Sequence, residues 1–385
     1  MKNNKIQFIT SYPLHHEPVI KNRVVPFIRV AVKNGYQVVL ISPDNKTFKV
    51  EGVDFKHILS PDEGTKPTSF VKRMFFEIKQ ARRLIKKAVT EGANVRVLTV
   101  PSMFLLFNAS LFGKHEFTTD LRDLTWEYVP EVNVFTKMAK KIFRVFAKYN
   151  IKKSRFINVT NETEKEYLLN KFGVKQDVLL VPNGVSDEQY NRLSKVSIKP
   201  DSAPSVAYIG NVGLAQNLTN LVRVAKKTPK IQYTIVGEGT DFKSIKELVY
   251  RENLPNLKLT GRLQWDEVID IYENVNVLYA QLSPDFSSAM PSKLYEYLST
   301  GKYIIYGGQE QAQTILSGFD NNTVIEPCNE EQLKDAIVNA TETSLHLNMR
   351  TMNKNLIKEK YIREYAIQKM FNYLKDKNEG SHNGS

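Results

Sequence analysis

A single cysteine, Cys328, stands among 385 residues. An intramolecular disulfide framework and a thiolate zinc cluster are therefore excluded. The six histidines show neither His-x-His nor His-Glu-x-x-His spacing, so no metal site is expected. Nowhere does the chain run for about 18 uninterrupted apolar residues, so no membrane-spanning helix is expected. The nearest case, Val97 to Phe112, is broken by Pro101, Ser102 and Asn108. The opening stretch MKNNKIQFIT holds too short an apolar run for a secretory leader. A cytoplasmic location is expected, with the Asn-x-Ser/Thr triplets at Asn108, Asn158, Asn161 and Asn217 as chance matches. Hydrophobic residues at 42% and charged residues at 25% give a globular balance rather than a disordered one. The length points to two domains.

The net charge of +13 is unevenly spread. Residues 1–190 hold 31 Lys/Arg against 19 Asp/Glu, whereas residues 191–385 hold 23 against 22. Such asymmetry suggests that the first half faces something anionic, be it nucleic acid, acidic lipid or a phosphorylated substrate.

The pattern along the chain alternates strands and helices. Ile6–Thr10, a helical stretch through Val24–Val32, and the buried strand Tyr36–Ile41 form a strand–helix–strand unit, the building block of a parallel sheet. Further strands are expected at 95–100, 117–120, 156–160 and 178–181, with helices at 69–90 and 135–149. The polar segment 186–204, with two prolines, reads as a linker. After it the rhythm restarts at Val206–Gly210 and continues through strands near 232, 257, 275, 303 and 323. The expected division is a first α/β domain over 1–185, a linker over 186–204 and a second α/β domain over 205–360. A C-terminal helix over 361–377, able to cross back to the first domain, and a disordered tail over 378–385 complete it.

Ligands of open parallel sheets bind beyond the carboxyl ends of the strands, so the loops after strands matter most. Gly210-Asn211-Val212-Gly213-Leu214-Ala215-Gln216 places glycines directly after a strand. Backbone N–H groups there approach an anion or a sugar closely. A plain strand-to-helix turn accounts for it equally well. Val236-Gly237-Glu238-Gly239 invites a dinucleotide reading, but the third glycine of the fingerprint falls at Phe242. In Pro291-Ser292-Lys293-Leu294-Tyr295-Glu296, proline and serine open a helix whose free N–H groups make an anion site. Lys293 adds a point charge, and Glu296 one turn on offers a carboxylate to a vicinal diol such as a ribose. A solvated Glu296 and a Lys293 opposing the helix dipole remain the plainer reading.

These motifs carry a resemblance. Pro291-Ser292-Lys293-x-x-Glu296-Tyr297, Gly301 before a strand, the Gly237–Gly239 turn and Val181-Pro182-Asn183-Gly184-Val185 resemble family 4 glycosyltransferases of the GT-B fold. Gly210-Asn211-x-Gly213-x-Ala215-Gln216 and Arg122-Asp123-Leu124-x-Trp126 are similar to a bacterial branch adding amino sugars in O-antigen or capsule assembly. The resemblance spans about residues 120 to 330. It implies two Rossmann-like parallel-sheet domains facing across a cleft, the second holding a nucleotide-sugar donor, expected to be UDP-linked. Glu296 would hold the ribose, Ser292 and Lys293 the diphosphate, and Gly210, Asn211, Gly213, Gln216, Gly237, Arg262, Ser288, Met290 and Leu294 would line the donor. Retention of anomeric configuration, no cofactor and no metal are further implications, in keeping with the absence of any Asp-x-Asp. Two departures stand out. Ser288 replaces a carboxylate common in the family, and Asn211 and Gln216 replace its Arg and Lys.

On the acceptor side, Asp123 follows a strand and is the choice for a base or polar role, a helix cap accounting for it equally well, and Arg122 could equally bind an acceptor phosphate. His15 and His16 lie in the first strand-to-helix loop. Two basic amphipathic stretches, 70–87 and 137–153, fit an anionic membrane surface and a polyprenyl-diphosphate-linked surface-glycan acceptor. Ordinary solvated lysines over a core face explain them too. No nucleic-acid motif accompanies the charge. Alternatives to the transferase are a sugar-nucleotide epimerase, which would need acid and base groups around the sugar that Ser288 does not supply, and an inactive nucleotide-binding accessory subunit.

Overall fold

The computed structural model describes residues 4–15, 17–62, 67, 69–100, 102–112, 117–127, 129, 131–197, 203–286, 291–309, 311–342 and 351–380. The chain divides into two compact units, 1–183 with 363–385, and 184–362.

The first unit is a seven-stranded parallel sheet. Its strands are β1 (Lys5–Thr10), β2 (Gln37–Ser42), β3 (Lys56–Leu59), β4 (Val95–Val100), β5 (Phe117–Leu121), β6 (Ile157–Val159) and β7 (Val178–Leu180), in the order β3-β2-β1-β4-β5-β6-β7. Side chains alternate between two cores, as strand geometry requires. Ile6, Phe8, Val38, Leu40, Val95 and Val97 pack against the Pro18–Lys33 and Arg363–Gly380 helices. Ile9, Val39, Ile41 and Leu98 face the Phe70–Glu91, Met103–Phe112 and Val134–Ile151 helices. Adjacent β1 and β4 send the chain to opposite sides of the sheet, so the topological switch lies between them.

The second unit repeats the scheme with β8 (Ser205–Ile209), β9 (Gln232–Val236), β10 (Leu257–Gly261), β11 (Val277–Gln281), β12 (Tyr303–Gly307) and β13 (Asn322–Ile325). Their order is β10-β9-β8-β11-β12-β13, which puts the switch between β8 and β11. Ala207, Ile209, Leu278, Ala280, Ile304 and Tyr306 face one core. Val206, Tyr208, Val277, Tyr279, Tyr303 and Ile305 face the other.

Several sequence expectations change. The segment read as a linker carries a helix, Asp187–Leu193. Ser186 Oγ accepts from Gln189 N–H at 3.1 Å while Gln189 Oε1 accepts from Ser186 N–H at 3.0 Å, a reciprocal cap that satisfies two orphan donors. Tyr190, Leu193 and Val196, three apart, enter the core of the second unit. Strand β3 and the Met103–Phe112 helix were not foreseen. The latter is nearly apolar all round and lies with Leu105, Leu106 and Ala109 buried. The C-terminal helix, Arg363–Gly380, belongs to the first unit and runs past the expected end at 377. Ile367, Met370, Phe371 and Leu374 sit in its core. Pro26 interrupts the Pro18–Lys33 helix and cannot bond the carbonyl of Asn22. Arg363 donates to that carbonyl instead, at 2.8 Å. The expected tail beyond residue 380 lies outside the described residues.

Candidate functional site

The loops after β8, β9 and β11 meet at the switch of the second unit. Gly210 N–H donates to Val236 O at 3.0 Å, Val212 N–H to Glu238 O at 2.9 Å, and Ser283 N–H, after β11, to Ala215 O at 2.7 Å. Gly237 has φ of +132°, and a Cβ there would stand 1.8 Å from Gly210 O. Only glycine fits that approach. The loop is neutral: Asn211 Nδ2 donates to Gln216 Oε1 at 3.1 Å. Beneath it, buried Gln281 at the end of β11 donates to Gln216 O at 2.9 Å and Asn217 O at 3.1 Å. Its Oε1 accepts from Tyr279 Oη at 2.8 Å and Cys328 N–H at 2.9 Å.

The Lys293–Thr300 helix opens beside this loop pair. Its N-terminal residue Lys293 puts Nζ 2.7 Å from Glu296 Oε2 and 6.0 Å from the centre of the Trp265 ring. The Glu296 carboxylate is 9% exposed and also accepts from Tyr272 Oη at 3.3 Å. Burial, together with that carboxylate, holds the Tyr272 hydroxyl far above its ordinary pKa, so it stays a donor. Tyr297 staples the helix to the switch. Its Oη accepts from Ile209 N–H at 2.8 Å and lies 3.2 Å from Ile209 O and 3.3 Å from Tyr279 O. Gly301, at φ +72°, ends the helix and turns the chain into β12.

Of the residues expected on the donor, Gly210, Asn211, Gly213, Gln216 and Gly237 come together in the loops after β8 and β9, while Lys293 and Glu296 pair on the helix that Tyr297 ties to Ile209 at the end of β8. Ser292 is exposed at the N-cap and makes no side-chain cap bond, leaving its hydroxyl turned to solvent. Arg262 is exposed just beyond β10. Leu294 requires correction: its side chain is fully buried in the core, so it packs the helix rather than facing a ligand. Ser288 and Met290 lie outside the described residues. Sequence reasoning missed Gln281, Tyr272 and Tyr297. Tyr297 was quoted in the motif without a role, and a glutamine closing the apolar run Val277–Ala280 was the available signal for Gln281.

The acceptor-side residues sit on the first unit. Leu14 and His15 N–H donate to Asp44 at 2.9 and 3.2 Å, fixing the loop after β1. His16 lies outside the described residues. Arg122 and half-buried Asp123 follow β5. Near them Glu164 is buried, with Oε2 accepting from Thr160 N–H at 2.8 Å and Thr160 Oγ1 at 2.9 Å. Burial first, with the Asp123 charge adding, lifts its pKa to about 8 despite the Thr160 donors. Glu164 was not foreseen. Among the described residues, no three His, Cys, Asp or Glu side chains group as metal ligands, and no helix is long and apolar enough to cross a membrane.

Residues 189–362, nearly all of the second unit, match the family model of glycosyl transferases group 1. A search of curated proteins finds no match. Among solved structures, sucrose-phosphate synthase from Thermosynechococcus elongatus superposes with a TM-score of 0.75 at 14% identity, covering 98% of this chain and 100% of that one. HepE of Anabaena in complex with UDP gives 0.72 at 11% identity, over 97% and 100% of the two chains. The lipopolysaccharide outer core galactosyltransferase WaaB gives 0.66 at 14%, over 97% and 99%. The fold, two parallel-sheet α/β domains, is that of GT-B glycosyltransferases.

Proposed function

We propose that this protein transfers a sugar from a nucleoside-diphosphate donor, UDP-linked, bound at the β8/β11 switch of the second unit. The observation that carries the reading is the Lys293–Glu296 pair at the head of a helix stapled to that switch by Tyr297. Glu296 holds the ribose hydroxyls. Lys293, Ser292 and the helix N-terminus take the diphosphate, and the loop from Gly210 to Gln216 lies against phosphate and sugar. UDP bound to HepE supports the choice of base. In the reaction the anomeric carbon–oxygen bond breaks and its electron pair leaves with the diphosphate. An acceptor hydroxyl supplies the new bond, and its proton leaves with the departing diphosphate, as same-face displacement with retention requires. The protein's part is chiefly electrostatic: a fixed cation and helix dipole where negative charge develops. Retention of configuration and independence of metal are carried by the family resemblance alone.

The acceptor is a lipid-linked bacterial surface-glycan precursor, an N-acetylated amino sugar being the unit added, and the Val134–Ile151 helix meets an anionic membrane surface. Support comes from its outer stripe. Val134, Phe135, Met138, Ile142, Val145 and Tyr149, on one helical face, are all more than half exposed, with Lys137 and Lys141 exposed beside them. A stripe of this size is unusual on a monomer surface, and its flanking charge is complementary to acidic lipid.

A second reading, an inactive nucleotide-binding accessory subunit, draws on the neutral Asn211–Gln216 loop. Incubation with a panel of UDP-sugars, with and without chelator, and assay of released UDP separates the two. Release in chelator supports the metal-free transferase, and UDP binding without release on any acceptor supports the accessory subunit.

A further inference from the structure

Among the described residues of the first unit four arginines are buried, Arg23, Arg96, Arg122 and Arg363, and Arg23 and Arg122 stand in contrast. Arg23 gives Nε and one terminal nitrogen to Asp120 at 3.1 and 2.6 Å, and its other nitrogen to the carbonyls of Val181 and Pro182 at 2.8 and 3.2 Å. Arg122, next to this pair, is 9% exposed, and its Nε has no hydrogen-bond partner. Leaving a buried guanidinium donor unmade is costly, and native structures rarely do so without a ligand, ion or water in place.

Arg122 is not alone. Five of the twelve buried side-chain polar atoms without a partner among the described residues lie on the loops following β1, β4 and β5: Ser11 Oγ, His15 Nε2, Ser102 Oγ, Arg122 Nε and Thr125 Oγ1. These three strands are neighbours, and β1 and β4 flank the topological switch, where ligands of open parallel sheets bind. Register brings the groups level. Thr10 pairs with Thr99 and Val100 with Leu121, so Ser11 and Arg122 leave the sheet within a residue of one another. With adjacent strands about 4.8 Å apart, the three loops span roughly 10 Å. The carboxylates nearby do not answer the need. Asp120 is spent on Arg23, and Glu164 takes Thr160 donors and remains mostly protonated near neutral pH. The charges of Asp123 and Asp120 lie close enough to favour the Arg122 cation, but its Nε still has no hydrogen-bond partner.

We propose that these loops form a phosphate-binding site at the β1/β4 switch of the first unit, anchored by Arg122 with the Ser11 and Ser102 hydroxyls as further donors. Donors arriving from three loops suit a tetrahedral oxyanion better than a planar carboxylate, which one guanidinium fork satisfies in its own plane. That this phosphate belongs to the acceptor rests on the transferase reading; the site itself does not.

The test is the melting temperature of the full chain with inorganic pyrophosphate added on top of saturating UDP. A further rise is expected for the wild type, absent in Arg122→Gln and partial in Arg122→Lys, which keeps the charge and loses the fork. Ser102→Ala, a small change, guards against misfolding of the arginine variants and is expected to weaken pyrophosphate by about threefold to tenfold. An equal pyrophosphate shift in wild type and Arg122→Gln, or none in the wild type, overturns the site and leaves these groups to water. Loss of the UDP shift with an intact Arg122-dependent pyrophosphate shift overturns the donor assignment and leaves this one standing. Farnesyl diphosphate serves as a second arm: tighter binding than pyrophosphate supports a lipid-linked phosphate, and equal binding supports the same site with a soluble source.

Discussion

Lys293 Nζ and Glu296 Oε2 are 2.7 Å apart, one turn of helix separating the two residues. Each therefore neutralises the other until a ligand arrives. A nucleoside diphosphate offers both a better partner, phosphate oxygens to the ammonium and ribose hydroxyls to the carboxylate. The pair keeps the two groups beside each other at modest cost, because the lysine is a third exposed.

Lys293→Gln removes the cation and leaves the carboxylate. UDP is expected to bind about tenfold more weakly, as for loss of one charge-assisted contact, while uridine changes little. Titration calorimetry with both ligands decides this. Equal losses for UDP and uridine would move Lys293 off the phosphates.

Gly237→Ala places a methyl group 1.8 Å from Gly210 O at a φ of +132°. The loops after β8 and β9 must then separate. The expected cost is on the order of 3 kcal/mol, read as a lowered melting temperature together with lost UDP binding. A variant with wild-type stability would show that the loops are not zipped as described.

Glu164 gives a pH signature. Its folded pKa, about 8, stands above the ordinary 4.5. Between those values the folded chain holds a proton that the unfolded chain has released, so stability falls as pH rises through that window. The loss amounts to a few kcal/mol at most. Glu164→Gln, which cannot ionise, is expected to flatten the decline in melting temperature from pH 5 to 8. Parallel pH profiles for variant and wild type would refute the buried, protonated carboxyl.

Phe135→Glu with Met138→Glu alters side chains that are 85% and 62% exposed. Folding should be unchanged. Sedimentation with phosphatidylglycerol vesicles is expected to fall about fivefold or more, and wild-type binding to weaken with salt. Undiminished sedimentation of the double variant would remove this helix from the membrane.

Much of the sheet was legible in the sequence because strands buried on both faces read as short, near-continuous apolar runs bounded by turn residues. Strands β4 and β9 match the expected 95–100 and 232–236. β3 escaped notice because Lys56–Leu59 is a short edge strand with no fully buried position. Asp187–Leu193 escaped because prolines farther along drew the whole segment into one loop, although Ser186 and Gln189 spell a cap. At the site, glycine spacing and the Lys293–Glu296 register were readable. The Arg23–Asp120 pair, 97 residues apart, is a product of topology that no local pattern announces.

The measurement that bears most directly on the donor site is titration calorimetry of UDP into the wild type and Glu296→Ala, without metal. Micromolar binding by the wild type, weakened at least about tenfold in the variant as ribose hydrogen bonds are lost, is the predicted result. Equal affinity in the two proteins would contradict it.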